Sequence, residues 1–202
     1  MSDPDHPRTE RRPLVSAEHA RMLRGELYDA SDQELVAGRA RARRLCRALG
    51  AIDPDDVDRR RAGLEELLGS VGVRTVVEPP FICDYGTQIS LADDVFINVN
   101  CVFLDAAAIR IGSQTQLGPA VQLYTSTHPL DAATRVAGPE LAKPITIGSR
   151  VWIGGGAIVL PGVSIGDDTV VGAGSVVTRS LPARVVAAGN PCRVLRPVSE
   201  RG

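Results

Sequence analysis

The chain has 202 residues, 23 basic and 24 acidic, for a formal net charge of −1. So even a balance gives no general pull toward nucleic acid or an anionic membrane, and 3% aromatic residues are too few for a base-stacking platform. The length suits one large domain, or one domain with an appendage, and no run approaches the roughly 18 apolar residues of a membrane span.

Residues 1–13, "MSDPDHPRTERRP", are rich in proline and charge and read as a disordered tail. They contain no apolar signal segment, so a cytoplasmic protein is expected. A helical subdomain is expected over 14–72. Its first helix spans about 16–28. The second starts at Ser31 with Glu34 three residues on, a capping-box pattern, and keeps Leu35, Ala42, Leu45, Cys46 and Leu49 on one face. The third starts at Asp53-Pro54, carries Val57, Leu64, Leu67 and Leu68 as its stripe, and stops at Gly69. Each stripe is narrow, so these helices must dock on something larger.

From residue 73 to 196 the sequence counts in sixes. Aliphatic residues open hexads at Leu91, Ile97, Phe103, Ile111, Leu117 and Leu123, and again at Ile147, Ile153, Val159, Ile165, Val171 and Val177. Four residues on stand Val95, Cys101, Ala107, Thr115, Val121 and Thr127, then Val151, Ala157, Val163, Thr169, Ser175 and Leu181. Position one is expected to point inward, the residue four on to sit near an inward corner, and Gly or Asp at position two to turn the chain. Three hexads make a triangular coil, and stacked coils bury an aliphatic column that no single coil could cover. A β-sandwich would instead space its strands at about 8–12 residues. Two extra residues near Ala106–Ala108 allow a corner insertion, and residues 125–144, "TSTHPLDAATRVAGPELAKP", interrupt the count altogether. The segment 197–202 reads as a tail.

The interruption holds His128, the one histidine of the repeat region; the other two are His6 and His19. A loop histidine is either a solvated surface residue or a base that works near neutral pH. Trp152, the sole tryptophan, falls at an outward hexad position, where something must cover it. Gly154-Gly155-Gly156 removes side chains from one corner. Cys46, Cys83, Cys101 and Cys192 show no C-x-x-C spacing and no neighbouring histidine, so buried free thiols are expected rather than disulfides or a zinc site. No phosphate-binding glycine motif supports a nucleotide or NAD site.

The segment "VWIGGGAIVLPGVSIGDDTVVGAGSVVTRSLPARVVAAGNPCRV" (151–194) resembles the hexapeptide-repeat O-acetyltransferases. "GELYDASDQEL" (25–35), "EPPFICDYG" (78–86) and "STHP" (126–129) narrow the resemblance to the maltose and galactoside acetyltransferase group, over about residues 18–196. The resemblance implies a mainly β fold: a left-handed parallel β-helix with an N-terminal helical subdomain and one protruding loop. It also implies a homotrimer with sites between subunits, and acetyl-CoA as co-substrate without a metal.

Carried over residue by residue, the resemblance makes His128 the general base and the Gly155 backbone N–H the oxyanion donor, although the glycines could equally be turn residues. Trp152 and Gly118 would line the acetyl-CoA site; packing at a subunit interface is the other reading of Trp152. Thr178, Arg179, Arg193 and Arg196 would grip the carrier, arginine being suited to phosphate, or be solvated charges. Asp84 and Asn98 match positions that contact the acceptor. Glu140 could orient His128 or accept a sugar hydroxyl, and Tyr85 could stack on a sugar or pack in the core. Ala30 and Ala106 depart from the galactoside enzymes, which have acidic residues there, and favour a maltose- or glucose-like acceptor.

Three functions compete: sugar O-acetyl transfer by direct attack, a zinc carbonic anhydrase on the same fold, and a non-catalytic scaffold. Zinc catalysis would need three protein ligands, and the histidines for it are missing. A scaffold predicts an unbroken ladder without the long loop. Within the enzyme class, a xenobiotic or amino acid hydroxyl is the alternative acceptor.

Overall fold

The computed structural model describes residues 15–199, so the expectations for the N-terminal tail, for His6 and for residues 200–202 lie outside the described residues. Three helices come first. Helix α1 (Ala17–Arg24) is capped by Ser16, whose hydroxyl accepts from the His19 N–H at 3.1 Å, and stops at Gly25, left-handed at φ 72°. It is shorter than the expected 16–28 because Gly25 takes the conformation that ends a helix at low steric cost. Helix α2 (Gln33–Gly50) is capped by Asp32, not Ser31: the Asp32 carboxylate accepts from the Glu34 and Leu35 N–H groups. Ser31 donates its hydroxyl to Asp29 instead, and the Glu34 carboxylate turns away to the Ser16 N–H and the His19 ring.

Helix α3 (Val57–Leu67) starts late, capped by Asp56. The expected start at Asp53-Pro54 is a separate turn closed by the Asp56 N–H to the Asp53 carbonyl at 3.0 Å. The shift leaves Val57 70% exposed at the helix entry, and the buried stripe reduces to Leu64, Leu67 and then Leu68. The helix also ends before Gly69. That glycine serves packing, since a Cβ there would stand 2.4 Å from the Thr87 carbonyl oxygen.

A left-handed parallel β-helix follows, mainly β and three-sided. Its first face stacks Ser70–Val71, Ile89–Leu91, Ile109–Ile111, Ile145–Ile147 and Ser164–Ile165. The second stacks Val76–Val77, Phe96–Ile97, Gln116–Leu117, Trp152–Ile153, Val170–Val171 and Val185–Ala188, with Arg193–Pro197 added antiparallel at the end. The third stacks Ile82–Cys83, Val102–Leu104, Gln122–Tyr124, Ile158–Val159 and Val176–Val177. All twelve position-one residues are buried, and Ile97, Phe103, Leu123, Ile153, Val159 and Val177 are completely so. Each buried aliphatic or aromatic side chain of this size contributes about 1.5–3 kcal/mol.

The residues four further on are buried as expected, with one correction. Thr127 is half-exposed, and Thr125 takes the interior place. The chain leaves the column at that point into the loop, so the count of six no longer applies. Interior hydroxyls tie coil to coil: Thr115 Oγ1 donates to the Gly148 carbonyl at 2.7 Å and accepts from the Val151 N–H at 3.1 Å. Among the described residues no buried side-chain polar atom is left without a partner.

The turn geometry also needs correcting. The left-handed residue is position four of the hexad, as at Arg150 (φ 55°) and Asp168 (φ 57°), not position two. Position-two glycines answer to a different constraint, the close approach of successive coils: a Cβ on Gly148 would come within 2.7 Å of the Asp167 backbone N. The helices close the N-terminal end. Leu49, Leu64, Leu67 and Leu68 join the main core, while Met22, Tyr28 and Leu35 form a second cluster with Tyr85, Ala106 and Ala142.

Candidate active site

Strand pairing shows where the repeat gives way. Val76 lies opposite Phe96 and Phe96 opposite Gln116, 20 residues apart each time, whereas Trp152 lies opposite Val170, 18 residues on. Gln116 pairs with Trp152, 36 residues on. All of the extra length falls at one corner, where the third face hands over to the first. There the chain bulges at Asp84–Gln88, again at Asp105–Ala108, and then throws out the loop 125–144. Three successive coils therefore stack their irregular segments on one another.

These segments and α2 enclose a cleft of about 320 Å³, with Asp84, Tyr85, Ser126, His128, Glu140 and Arg39 on its walls and Ala30 and Ala106 also lining it. The loop's stem is an antiparallel pair, Ser126–Thr127 with Leu141–Ala142. His128 is thus the first residue beyond the paired stem, held close to the column yet exposed, and no side chain or backbone group of the described residues hydrogen-bonds its ring. A short helix, α4 (Ala132–Val136), occupies the loop's outer part, capped by Asp131.

Glu140 is fixed from below. Its backbone exchanges two hydrogen bonds with Tyr28, at 3.1 and 2.9 Å, and its Oε2 accepts from the Tyr28 hydroxyl at 2.9 Å. That bond runs to Tyr28 rather than His128, and burial together with the Glu140 charge pushes the Tyr28 phenol far up, keeping it a neutral donor. Asp84 is raised from its ordinary value chiefly by burial, with Arg39 and Arg43 opposing and Glu140 adding to the rise. Arg39 donates to the Tyr85 hydroxyl at 2.7 Å and to the Ala30 carbonyl at 2.6 Å. Tyr85 is buried in the second cluster with its hydroxyl so engaged. Beneath them Asp105 is fully buried and accepts from the Tyr85 N–H at 2.8 Å and the Gln88 N–H at 3.3 Å, fixing the bulge; burial pushes its carboxyl up to about 7.

Arg39 escaped the sequence reading. Its signal was available: a charged residue inside the otherwise apolar stripe Leu35, Ala42, Cys46, Leu49. Ser126 and Tyr28 sit inside the segments STHP and GELYDASDQEL, where nothing in the sequence sets them apart from their neighbours.

The remaining candidates stand elsewhere. Asn98, Gly118 and Gly154 follow strands of the second face and stack in one column at the second-to-third corner, joined by Asn98 N–H to Leu117 and Gly118 N–H to Ile153. Asn98 Oδ1 accepts the Val99 N–H at 2.8 Å. Gly118 is pressed so close that a Cβ would lie 2.6 Å from Gly155 N, and the Gly155 N–H has no acceptor among the described residues. Beside this bare strip Trp152 is 57% exposed. Arg193 and Arg196 lie on the exposed C-terminal strand, while exposed Thr178 and Arg179 continue the third face. Within one chain, then, His128, Asp84, Tyr85 and Glu140 come together. Asn98, Gly118, Trp152 and Gly155 form a second group on another corner.

Among the described residues no cluster of His, Cys, Asp and Glu could hold a metal, and no helix is long and apolar enough to cross a membrane.

Residues 21–72 match the maltose acetyltransferase hexapeptide capping motif, and residues 144–179 match six repeats of the bacterial transferase hexapeptide. Nodulation protein L of Rhizobium meliloti is 46% identical over 90% of this chain and 99% of its own. A maltose O-acetyltransferase from Clostridium difficile 630 superposes with a TM-score of 0.89 at 44% identity, covering 92% of this chain and all of its own (100%). A hexapeptide-repeat acetyltransferase of Vibrio cholerae O1 biovar eltor, solved with acetyl coenzyme A, gives 0.84 at 39% identity over 92% of this chain and 100% of its own. With the helical cap and the six-residue repeats both matched by family models, and relatives this similar over nine-tenths of the chain, the chain belongs to the maltose and galactoside O-acetyltransferase family of hexapeptide-repeat acetyltransferases.

Proposed function

We propose that this acetyltransferase moves the acetyl group of acetyl-CoA directly to a hydroxyl of a maltose- or glucose-like sugar in the cytoplasm. The observation that carries the reading is His128, an exposed imidazole with no partner of its own, set at the rim of a polar cleft beside Asp84 and Glu140. A neutral imidazole there takes the acceptor's hydroxyl proton, a contribution of about 10²–10⁴-fold. Asp84 and the free oxygen of Glu140 accept sugar hydroxyls, and Arg39 holds the Tyr85 wall in place.

Acetyl-CoA supplies a thioester-activated acetyl group. The strip that Gly118 and Gly154–Gly156 leave without side chains fits it: the place of a Cβ on Gly156 is open space, and Trp152 stands exposed alongside. The Gly155 N–H is the donor to the carbonyl oxygen as it gains negative charge, a kind of contact worth about 10²–10³ in rate. Arg193 and Arg196, with Thr178 and Arg179, hold the phosphate-bearing end.

The two residue groups lie on different corners, which fits a site completed between protomers of a homotrimer. Outward side chains support the same assembly. Those of the first face are polar, Ser70, Ser90, Arg110, Thr146 and Ser164, whereas the second carries Val76, Phe96, Gln116, Trp152 and Val170 and the third Ile82, Val102, Gln122, Ile158 and Val176, apolar but for one glutamine each. Ala30 and Ala106, where galactoside enzymes are acidic, also suit a less hydroxylated non-sugar acceptor, the second reading.

Thiol release from acetyl-CoA, assayed against a panel of sugars and simple alcohols, tests the proposal. Release that depends on maltose or glucose is expected; release with none of the sugars would overturn the sugar assignment.

A further inference from the structure

Two cysteines that acetyl transfer does not use lie against each other where the helical cap meets the column. Cys46, on α2, is half-buried, and Cys83, in the first strand of the third face, is buried. Both are free thiols, yet their sulfurs are 3.7 Å apart across 37 residues of chain. The pair opens onto a cavity of about 750 Å³ whose lining includes Arg43, Arg47, Phe81 and Ile82. The other two cysteines differ: Cys101 is buried with its Sγ donating to the Gly118 carbonyl, and Cys192 is buried near the C-terminal end of the column.

We propose that Cys46 and Cys83 form a redox modification site, in which hydrogen peroxide entering the cavity converts the two thiols into an intramolecular disulfide. Accessibility assigns the order of events. Cys46 is the less buried residue of the two, and Arg43 and Arg47 line the cavity with it. That is the environment in which a thiolate forms and attacks. The C-terminal half of α2 gives a thiolate no help from the helix dipole, so the Cys83 S–H, which can donate to Cys46 across 3.7 Å, is what favours it. Hydrogen bonding from Cys83 indeed holds the Cys46 thiol below its ordinary value, while the same bond and burial raise Cys83.

The steps balance. The Cys46 thiolate attacks one peroxide oxygen, the O–O bond breaks, and a sulfenic acid forms as hydroxide leaves and is protonated to water. The Cys83 sulfur then attacks the Cys46 sulfur, the S–S bond forms, the S–O bond breaks, and the departing hydroxide takes the Cys83 proton as a second water. Two thiols lose two electrons, and one peroxide becomes two waters. A buried second sulfur at this distance resolves the sulfenic acid before further oxidation can occur, and a transient disulfide of this kind is compatible with a reducing compartment. The bridge would fasten α2 to the first coil, one residue from Asp84. The proposal stands independently of the acceptor's identity.

The test uses the purified full chain, folded, treated with hydrogen peroxide, then alkylated and digested without reductant for mass spectrometry. The expected product is a Cys46–Cys83 cross-linked peptide, about 2 Da lighter than the two free peptides together and lost on adding dithiothreitol, with Cys101 and Cys192 alkylated. Cys46→Ser, made at the half-exposed partner so that folding is spared, should abolish it; in Cys83→Ala, Cys46 should run on to sulfinic acid. Thermal melting gives a second readout: the oxidised wild type should gain about 5 °C or more, reversibly, and Cys46→Ser should gain nothing. Two unmodified thiols, a wild-type Cys46 that stops as sulfinic acid, or a cross-link between separate chains would each overturn the assignment.

Discussion

Two corners of the same prism follow opposite rules. At the second-to-third corner the inward residues are six apart in every coil, from Val77 and Cys83 to Val171 and Val177, and glycines let successive backbones nearly touch. At the third-to-first corner three consecutive coils carry additional residues, and there the chain has gathered an imidazole, carboxylates and a buried Asp105. Regularity gives close contact and a surface free of side chains; irregularity gives room for chemistry. In the proposed reaction neither corner alone provides both an acid–base group and a bare approach for a thioester.

The comparison can be broken most decisively at His128. His128→Ala should lower turnover by about 10²–10⁴-fold while acetyl-CoA affinity stays near wild type, as read by thiol release and by direct titration; unaltered turnover would remove the base from the irregular corner. Next comes the regular corner. Gly154→Ala would place a Cβ 2.5 Å from Ala173 N and should cost about 2–3 kcal/mol in denaturant unfolding. Gly156→Asn, at φ 68° with nothing within 4 Å, should cost less than about 1 kcal/mol, because Asn100 and Ala120 already adopt that conformation in the same column. Equal losses would show that turn geometry rather than coil contact governs this corner.

A smaller effect sharpens the carrier end: Arg193→Ala should raise the acetyl-CoA KM about tenfold, as loss of a charge-assisted contact does, with the sugar KM unchanged. A further effect concerns pH. Folded Asp105 keeps its proton up to about pH 7, whereas the unfolded residue releases it near 3.8. Between those values the unfolded residue binds fewer protons than the folded one, so Asp105 contributes stability that is lost as pH rises through that window. Denaturation midpoints at either end should differ, and Asp105→Asn should flatten the slope.

Much of the column was legible because burial enforces a strict period: an inward place cannot be filled by a charge without cost, so aliphatic residues recur every sixth position. What stayed hidden depends on details that composition does not encode. Ser31 and Asp32 are both good caps, and the choice between them was made by Asp29, which occupies the serine hydroxyl. Glycine at position two looked like a turn residue, yet its reason lies in the coil beyond it. Asn98 and Asp84 were grouped by resemblance, although one follows a second-face strand and the other a third-face strand, so a single chain holds them at different corners. Arg39 was overlooked because its partners, Tyr85 and Ala30, belong to segments that carry no repeat.

The reversed final strand, Arg193–Pro197, has a consequence for the whole particle. A stack of parallel rungs could in principle keep growing by accepting another molecule's first rung, as filaments do. Here Leu181 bridges to Ile165 at one side, Gly189 and Cys192 cover the hydrogen-bonding groups of Val176 at another, and the antiparallel strand blocks the last with two cations and a proline. Among the described residues the C-terminal end of the column thus offers no parallel rung to a second molecule, and the column stops where its own strand reverses.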